Sequence, residues 1–275
     1  MPTSLRVGAV SYLNAKPLYY RLDEFAPGVS LEMDVPSRLA DRLAAGTLDL
    51  ALIPSVEYLR GVALGYEILP GFAIAARGAV RSVKLFCRVP FDRIGRLALD
   101  AGSRTSQALA RVWLDAAHGV RPGRVEALPL GVPIEESTAD AVLLIGDRAM
   151  TVAHDGFHTV VDLAEAWRGL TGLPFVFALW VVRPGVDLGG LPEALEACRA
   201  AGLAHARDLA AENGPRLGLD VETCYDYLTN VLSYDLGAAE LEGLRRFARM
   251  AARLGLAPEG VPLVFHRGRD LAARR

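Results

Sequence analysis

The chain has 275 residues, with 30 Lys and Arg set against 32 Asp and Glu, a formal net charge of −2. So even a balance excludes a binder of the nucleic-acid backbone, which needs a basic stripe to neutralise phosphates. At 52% hydrophobic and 23% charged residues, the sequence has the material of a large core and not the profile of disorder, and its length suits one large domain or two of about 100–150 residues each.

The segment Leu5 to Val10 reads as a first strand, followed by a helix over Asn14 to Leu22 with Pro17 in its first turn, where a missing N–H costs little. Leu31 to Val35 is a second strand. Pro36-Ser37 opens a helix whose Leu39, Ala40, Leu43 and Ala44 share a face, with Gly46 as its stop, and Leu48 to Ile53 is a buried strand ending at Pro54-Ser55. Strand signals recur at Tyr66 to Leu69, Phe72 to Ala76 and Val83 to Val89. The polar, turn-rich stretch Pro90 to Arg96 reads as a crossing into a second lobe. There the pattern restarts with a strand at Leu97 to Leu99, a helix from Thr105 to Ala117, and strands at Val125 to Leu128 and Ala141 to Ile145. Phe175 to Val182 is a strongly apolar strand and Pro184 to Pro192 a loop. From there to Leu254 the chain reads as helical, with stops at Gly214-Pro215 and Gly237.

This order predicts an α/β protein of two lobes joined by two crossings, one lobe formed by residues 1–92 with 181–275 and the other by 93–180. The ligand cleft is expected between them, outside the carboxyl ends of the strands.

No apolar run reaches the ~20 residues that cross a bilayer. Met1-Pro2-Thr3-Ser4 leads directly into the first strand without a signal-peptide core, so the expected compartment is the cytoplasm. Cys87, Cys198 and Cys224 are odd in number, far apart and set among apolar or helical residues, which reads as free, mostly buried thiols. With Lys16 and Lys84 the only lysines there is no phosphate loop of the Gly-Lys-Ser/Thr type, and no Gly-x-Gly-x-x-Gly turn occurs. His154 and His158 stand four apart, but Asp155-Gly156 breaks the helix between them and no further ligand completes a metal set. His118, His205 and His266 are isolated from any nucleophile elbow. Arg267, Arg269, Arg274 and Arg275 read as a solvated tail.

The most suggestive local feature is Asp100-Ala101-Gly102-Ser103-Arg104-Thr105-Ser106-Gln107, a strand end and glycine turn followed by hydroxyl residues that open a helix. Free N–H groups and the positive end of the helix dipole suit a carboxylate or phosphate, although Ser103 or Thr105 acting only as a cap satisfies the same pattern. Asn14, after Val10-Ser11-Tyr12-Leu13, either caps a helix or faces the cleft, and Ser55 has the same two options. Ser82 is an ordinary strand residue or a cleft hydroxyl. In Leu144-Ile145-Gly146-Asp147 the glycine permits close approach of backbone to a ligand, while the carboxylate can cap the next helix.

Five blocks in this order carry a resemblance: Val10-Ser11-Tyr12-Leu13-Asn14-Ala15-Lys16-Pro17-Leu18, Asp49-Leu50-Ala51-Leu52-Ile53-Pro54-Ser55, Ser103-Arg104-Thr105-Ser106, Leu144-Ile145-Gly146-Asp147, and Leu170-Thr171-Gly172-Leu173-Pro174-Phe175-Val176-Phe177-Ala178. Over nearly its whole length the chain resembles the chorismate dehydratase family of the futalosine route to menaquinone, whose fold is that of the type II periplasmic binding proteins. The resemblance implies removal of water from chorismate, a dianion, to give 3-[(1-carboxyvinyl)oxy]benzoate, with no metal or organic cofactor. It marks Asn14 and Ser82 as the catalytic positions. Ser11, Tyr12, Ser55, Ser103, Arg104, Thr105, Ser106, Gly146 and Asp147 are the expected substrate-binding residues. No His, Glu or Lys in these blocks is clearly placed as a base, so the substrate's own enolpyruvyl carboxylate is the expected acceptor of the C3 proton. The sister family of 1,4-dihydroxy-6-naphthoate synthases shares the fold but differs at Tyr12-Leu13-Asn14 and uses a histidine base. A non-catalytic binding protein is the third reading, since fold does not fix function. Monomer and homodimer both remain open, with no nucleic-acid or membrane partner expected.

Overall fold

The computed structural model describes residues 4–267. Of the arginine tail, Arg269, Arg274 and Arg275 lie outside the described residues, as do Met1 to Thr3. The chain opens with β1 (Arg6–Val10), a 3-10 turn over Leu13–Tyr19, the short α1 (Leu22–Phe25), β2 (Ser30–Asp34), α2 (Pro36–Ala44) and β3 (Leu50–Pro54). β1 pairs in parallel with β2 on one side and β3 on the other. Where a regular helix was expected over Asn14 to Leu22, the backbone winds more tightly. Pro17, inside the turn, has no N–H to give to an α-helical bond, and the chain beyond it is pressed on by a neighbouring helix.

The segment then continues through α3 (Ser55–Gly61), β4 (Glu67–Ile68), β5 (Ile74–Ala76), β6 (Val83–Cys87), β7 (Arg96–Asp100), α4 (Arg104–His118), β8 (Arg124–Leu128), β9 (Ala141–Ile145), α5 (Asp147–Thr151) and β10 (Thr159–Asp162). α6 (Leu163–Thr171) leads to the long β11 (Phe175–Val182), and the helices α7 (Leu191–Ala204), α8 (Ala206–Leu217) and α9 (Val221–Asp226) follow. A π-wound turn over Tyr227–Val231, the two-residue β12 (Leu232–Ser233) and α10 (Ala238–Arg253) close the fold. α8 runs through Pro215, which falls in its last turn, and ends at Gly218 with φ +70° rather than at Gly214-Pro215. β10 and α6 were not anticipated, although Asp162 is a textual N-cap signal: its carboxylate accepts from the N–H groups of Ala164 and Glu165.

Two sheets result. One runs in the order β12-β5-β11-β3-β1-β2, with β4 also on β11, and the other in the order β10-β6-β9-β7-β8. This shifts the expected lobe boundaries. β6 lies antiparallel to both β9 and β10 in the second sheet, so the first crossing is the stretch 77–82 and not Pro90 to Arg96. β11 pairs with β3 and β5, so residues 175–180 belong to the first sheet and the return crossing is α6. A run such as Val83–Cys87, almost wholly buried, shows that it is an interior strand but not which sheet it joins.

The packing is close where glycine permits it. Gly202 on α7 meets the proline of the 3-10 turn, and a Cβ there would lie 2.5 Å from Pro17 Cα. Trp167 on α6 packs edge-on against Phe175 and Phe247, joining the return crossing to the core of the first lobe. All three cysteines are free and buried, and burial pushes the Cys87 thiol up to about 12. Among the described residues no helix is long and apolar enough to cross a membrane, and no group of three or more His, Cys, Asp or Glu is placed to hold a metal ion.

Candidate active site

A cleft with an empty volume of about 470 Å³, its mouth included, opens where β1, β3 and β9 end and α4 begins. It is lined from the first lobe by Tyr12 and Asn14, from the first crossing by Ser82, and from the second lobe by Ser103, Ser106 and Gly146. Val10, Pro36, Pro54, Ile74, Val80 and Phe177 supply apolar walls. Among the described residues, no Lys, Arg, Asp, Glu or His belongs to the lining.

The glycine turn before α4 is held from below. Asp100, fully buried at the end of β7, accepts from the N–H groups of Gly102 at 2.8 Å and Ile145 at 3.2 Å and from Arg148 Nε at 3.0 Å. One carboxylate thereby fixes the turn and the end of β9 in a single arrangement, with Arg148 neutralising it. Ser103 is the N-cap of α4, and its Oγ accepts from Ser106 N–H at 3.4 Å and shares a 3.1 Å hydrogen bond with Ser106 Oγ. Ser103 thus caps the helix, and Ser103 and Ser106 both line the cleft.

Tyr12 lies across the two glycines. A Cβ on Gly102 would fall 2.9 Å from the Tyr12 hydroxyl, and one on Gly146, whose φ is +68°, would fall 3.3 Å from the ring. Burial raises the Tyr12 phenol above its ordinary value, and the charges of Asp100 and Asp147 act in the same direction, so it stays protonated. Asp147 itself is not among the lining residues. Its carboxylate accepts from Leu13 N–H at 3.3 Å, joining α5 to the 3-10 turn, and burial pushes it up to about 6.

Ser82 is 1% exposed and Asn14 half-buried, and they arrive from distant parts of the chain. Beneath them sits Tyr227, whose hydroxyl donates to Ser82 Oγ at 2.7 Å. The Asn14 Oδ1 is buried without a hydrogen-bond partner. Tyr227 was not among the sequence candidates, because a tyrosine in a helical stretch carries no sign that its backbone is π-wound.

Besides Asp147, four expected binding residues stand outside the lining. Ser55 is fully buried and donates to Val176 O at 2.7 Å, with Thr105 Oγ1 at 3.4 Å. Thr105 in turn accepts from Val56 N–H at 3.1 Å, so this pair stitches α3 to α4 beside the cleft. Arg104 points back across the lobes to Asp41 at 2.8 Å and Glu57 at 3.1 Å, and its charge is answered there. Ser11 is exposed, its N–H bound to Asp34 O at 3.1 Å. Local sequence marks all four as polar residues at strand or helix ends, and the same mark is left by residues that hold the ends together. None of the five histidines lines the cleft: His154 lies by Lys84 Nζ at 3.1 Å and His118 is stacked on Phe91.

Two α/β lobes with a cleft between strand ends define a periplasmic-binding-protein-like fold. The solved structures bear this out. A protein from Archaeoglobus fulgidus superposes with a TM-score of 0.70 at 19% identity, over 93% of this chain and 99% of its own. An alkanesulfonate-binding protein from Xanthomonas axonopodis pv. citri, bound to MOPS, gives 0.69 at 17% identity, over 97% and 99%. The particular family follows from sequence: a family described as menaquinone biosynthesis matches residues 5–253, and the chain belongs to it. It is 34% identical to a chorismate dehydratase of Thermus thermophilus, over 93% of this chain and 98% of that one, and 25% identical to a chorismate dehydratase of Campylobacter jejuni, over 91% and 99%. A 1,4-dihydroxy-6-naphthoate synthase of Streptomyces coelicolor is 24% identical over 82% of this chain.

Proposed function

We propose that the protein is a chorismate dehydratase, a hydro-lyase that eliminates water from chorismate to give 3-[(1-carboxyvinyl)oxy]benzoate in menaquinone biosynthesis. The observation that carries this reading is the meeting of Asn14 and Ser82, from two distant segments, in one cleft facing the N-terminus of a 15-residue helix. The N-terminus of α4, with Ser103 and Ser106, is suited to one carboxylate of the substrate.

The reaction breaks C3–H and C4–O and forms the C3=C4 bond that makes the ring aromatic. The C3 proton passes to the enolpyruvyl carboxylate, which hands it on to the oxygen departing from C4, so that one water leaves and the carboxylate is regenerated. A lining without a cation supports this role for the substrate. A carboxylate held by neutral donors in a partly apolar cleft is more basic than one paired with arginine. Asn14 and Ser82 hold that carboxylate and stabilise the leaving oxygen by hydrogen bonds, and their fixed geometry supplies the catalysis. Lobe closure, which brings Asn14 and Ser82 toward Ser106, would exclude water from the step.

The naphthoate-synthase reading calls for a histidine base, and the absence of histidine from the lining favours the dehydratase. Monomer and homodimer both suit the reaction, and the cytoplasm is the expected compartment for a biosynthetic enzyme of this kind. The test is purified protein mixed with chorismate, followed by product mass. A species lighter by one water and absent with Asn14→Ala supports the proposal. Chorismate that binds unchanged points instead to a sensor or carrier.

A further inference from the structure

Tyr227 is fully buried on the π-wound turn, and its phenol donates to Ser82, one of the two side chains that the proposed reaction uses. Burial raises its pKa well above the ordinary value, and the hydrogen bonds with Ser82 and with the Asn14 side chain pull the other way. Burial thus favours the neutral phenol, with one proton to donate and a lone pair to accept. The proton goes to Ser82 Oγ at 2.7 Å. A serine oxygen that accepts from tyrosine has its own proton free for the cleft.

The neighbouring residues repeat the contact. Arg81, held at φ +64°, pairs with Asp226 at 2.7 Å, one residue before each member of the Ser82–Tyr227 pair. Ser82 N–H is bound to Val80 O at 2.8 Å, and Asp162 accepts from the N–H groups of Val80 at 3.1 Å and of Arg81. The backbone of the first crossing is thus fixed on one side by Asp162, and its serine hydroxyl on the other by Tyr227.

We propose that Tyr227 is the positioning residue of this site, directing the Ser82 hydroxyl proton toward the substrate through its phenol oxygen. This rests on the dehydratase reading. Tyr227 touches no reacting atom, so its removal changes the barrier and not the affinity for ground-state substrate.

The experiment is a double-mutant cycle with wild type, Tyr227→Phe, Ser82→Ala and the double variant, each assayed with chorismate and each melted. Tyr227→Phe is expected to lower kcat by about 10- to 100-fold while KM changes by less than about threefold. In the Ser82→Ala background the same change is expected to cost less than about threefold, because the hydroxyl it directs is gone. A kcat for Tyr227→Phe close to wild type, or losses that multiply in the double variant, overturns the inference. If Tyr227→Phe does not fold, 3,5-difluorotyrosine at position 227 keeps the shape and strengthens the donor. A shift in kcat at unchanged melting temperature then supports the role, and no shift overturns it. Wild-type protein inert toward chorismate removes the dehydratase reading and this inference with it, whereas active wild type with a null cycle removes this inference alone.

Discussion

The carboxylate of Asp147 accepts a hydrogen bond from the backbone N–H of Leu13 at 3.3 Å, so the first turn of α5 in one lobe is tied to the 3-10 turn of the other. Burial lifts this carboxyl from 3.8 to about 6, against the opposing pull of the Leu13 N–H and the Lys16 charge. A group whose folded pKa lies above its unfolded value takes up a proton on folding, so its contribution grows as pH falls from 6 toward 4 and is withdrawn as pH rises through 6. Asp49, bound by Arg6 and Arg183, is shifted the other way, and its stabilisation is lost as pH falls below its unfolded value. Asp147→Asn keeps an acceptor for Leu13 and has nothing to titrate. Melting temperatures at pH 5 and pH 8 should therefore differ less in Asp147→Asn than in wild type; identical pH slopes would show Asp147 titrating as an ordinary acid.

Asn14→Asp is nearly isosteric but places a carboxylate in a cleft whose lining has no cation to answer it. With a dianionic substrate, repulsion should raise KM by about 100-fold or more at pH 8, with partial recovery at acid pH as the new carboxyl is protonated. A KM that stays flat from pH 5 to 8 would mean that residue 14 lies out of reach of the substrate's charge.

Gly146 sits at φ +68° and ψ −159°, a region closed to side chains, with the Tyr12 ring 3.3 Å from where a Cβ would be. Gly146→Ala should cost about 1–3 kcal/mol of stability. It should also push Tyr12 into the cleft and lower kcat/KM by about tenfold or more. Denaturant titration and steady-state kinetics check the two parts separately, and a variant as active as wild type would show that Tyr12 has room to yield.

Ser55 and Thr105 are expected to act on stability rather than on turnover. Ser55→Ala leaves Val176 O without its 2.7 Å donor, at a cost of about 1–3 kcal/mol. KM for chorismate should remain within about twofold of wild type. A large rise in KM at wild-type stability would return Ser55 to the substrate-binding set.

The layered α/β order was legible because apolar runs such as Ala141–Ile145 and Phe175–Val182 are bounded by unmistakable turns, and both strands lie where the pattern puts them. Sheet membership was not. β6 and β11 are buried throughout most of their length, and a strand with no polar face carries no record of its neighbours. Within the cleft, Ser103 and Ser106 were legible as a helix opening, and Asn14 and Ser82 stood out only through resemblance, since each is locally an ordinary cap or strand residue. Arg104 and Ser55 misled for the converse reason: a side chain that spans two lobes needs the same polarity as one that holds a ligand. Tyr227 was hidden because its role depends on how the backbone winds around it.

That winding has a wider reach. A π turn carries one residue more than the α-helix it interrupts, and each residue of an α-helix advances the side chains by about 100° around the axis. A descendant that lost a single residue between positions 227 and 231 could keep α9, β12 and the core and still carry its phenol away from Ser82. On this frame the interval between transforming a bound anion and merely holding it is the width of one residue.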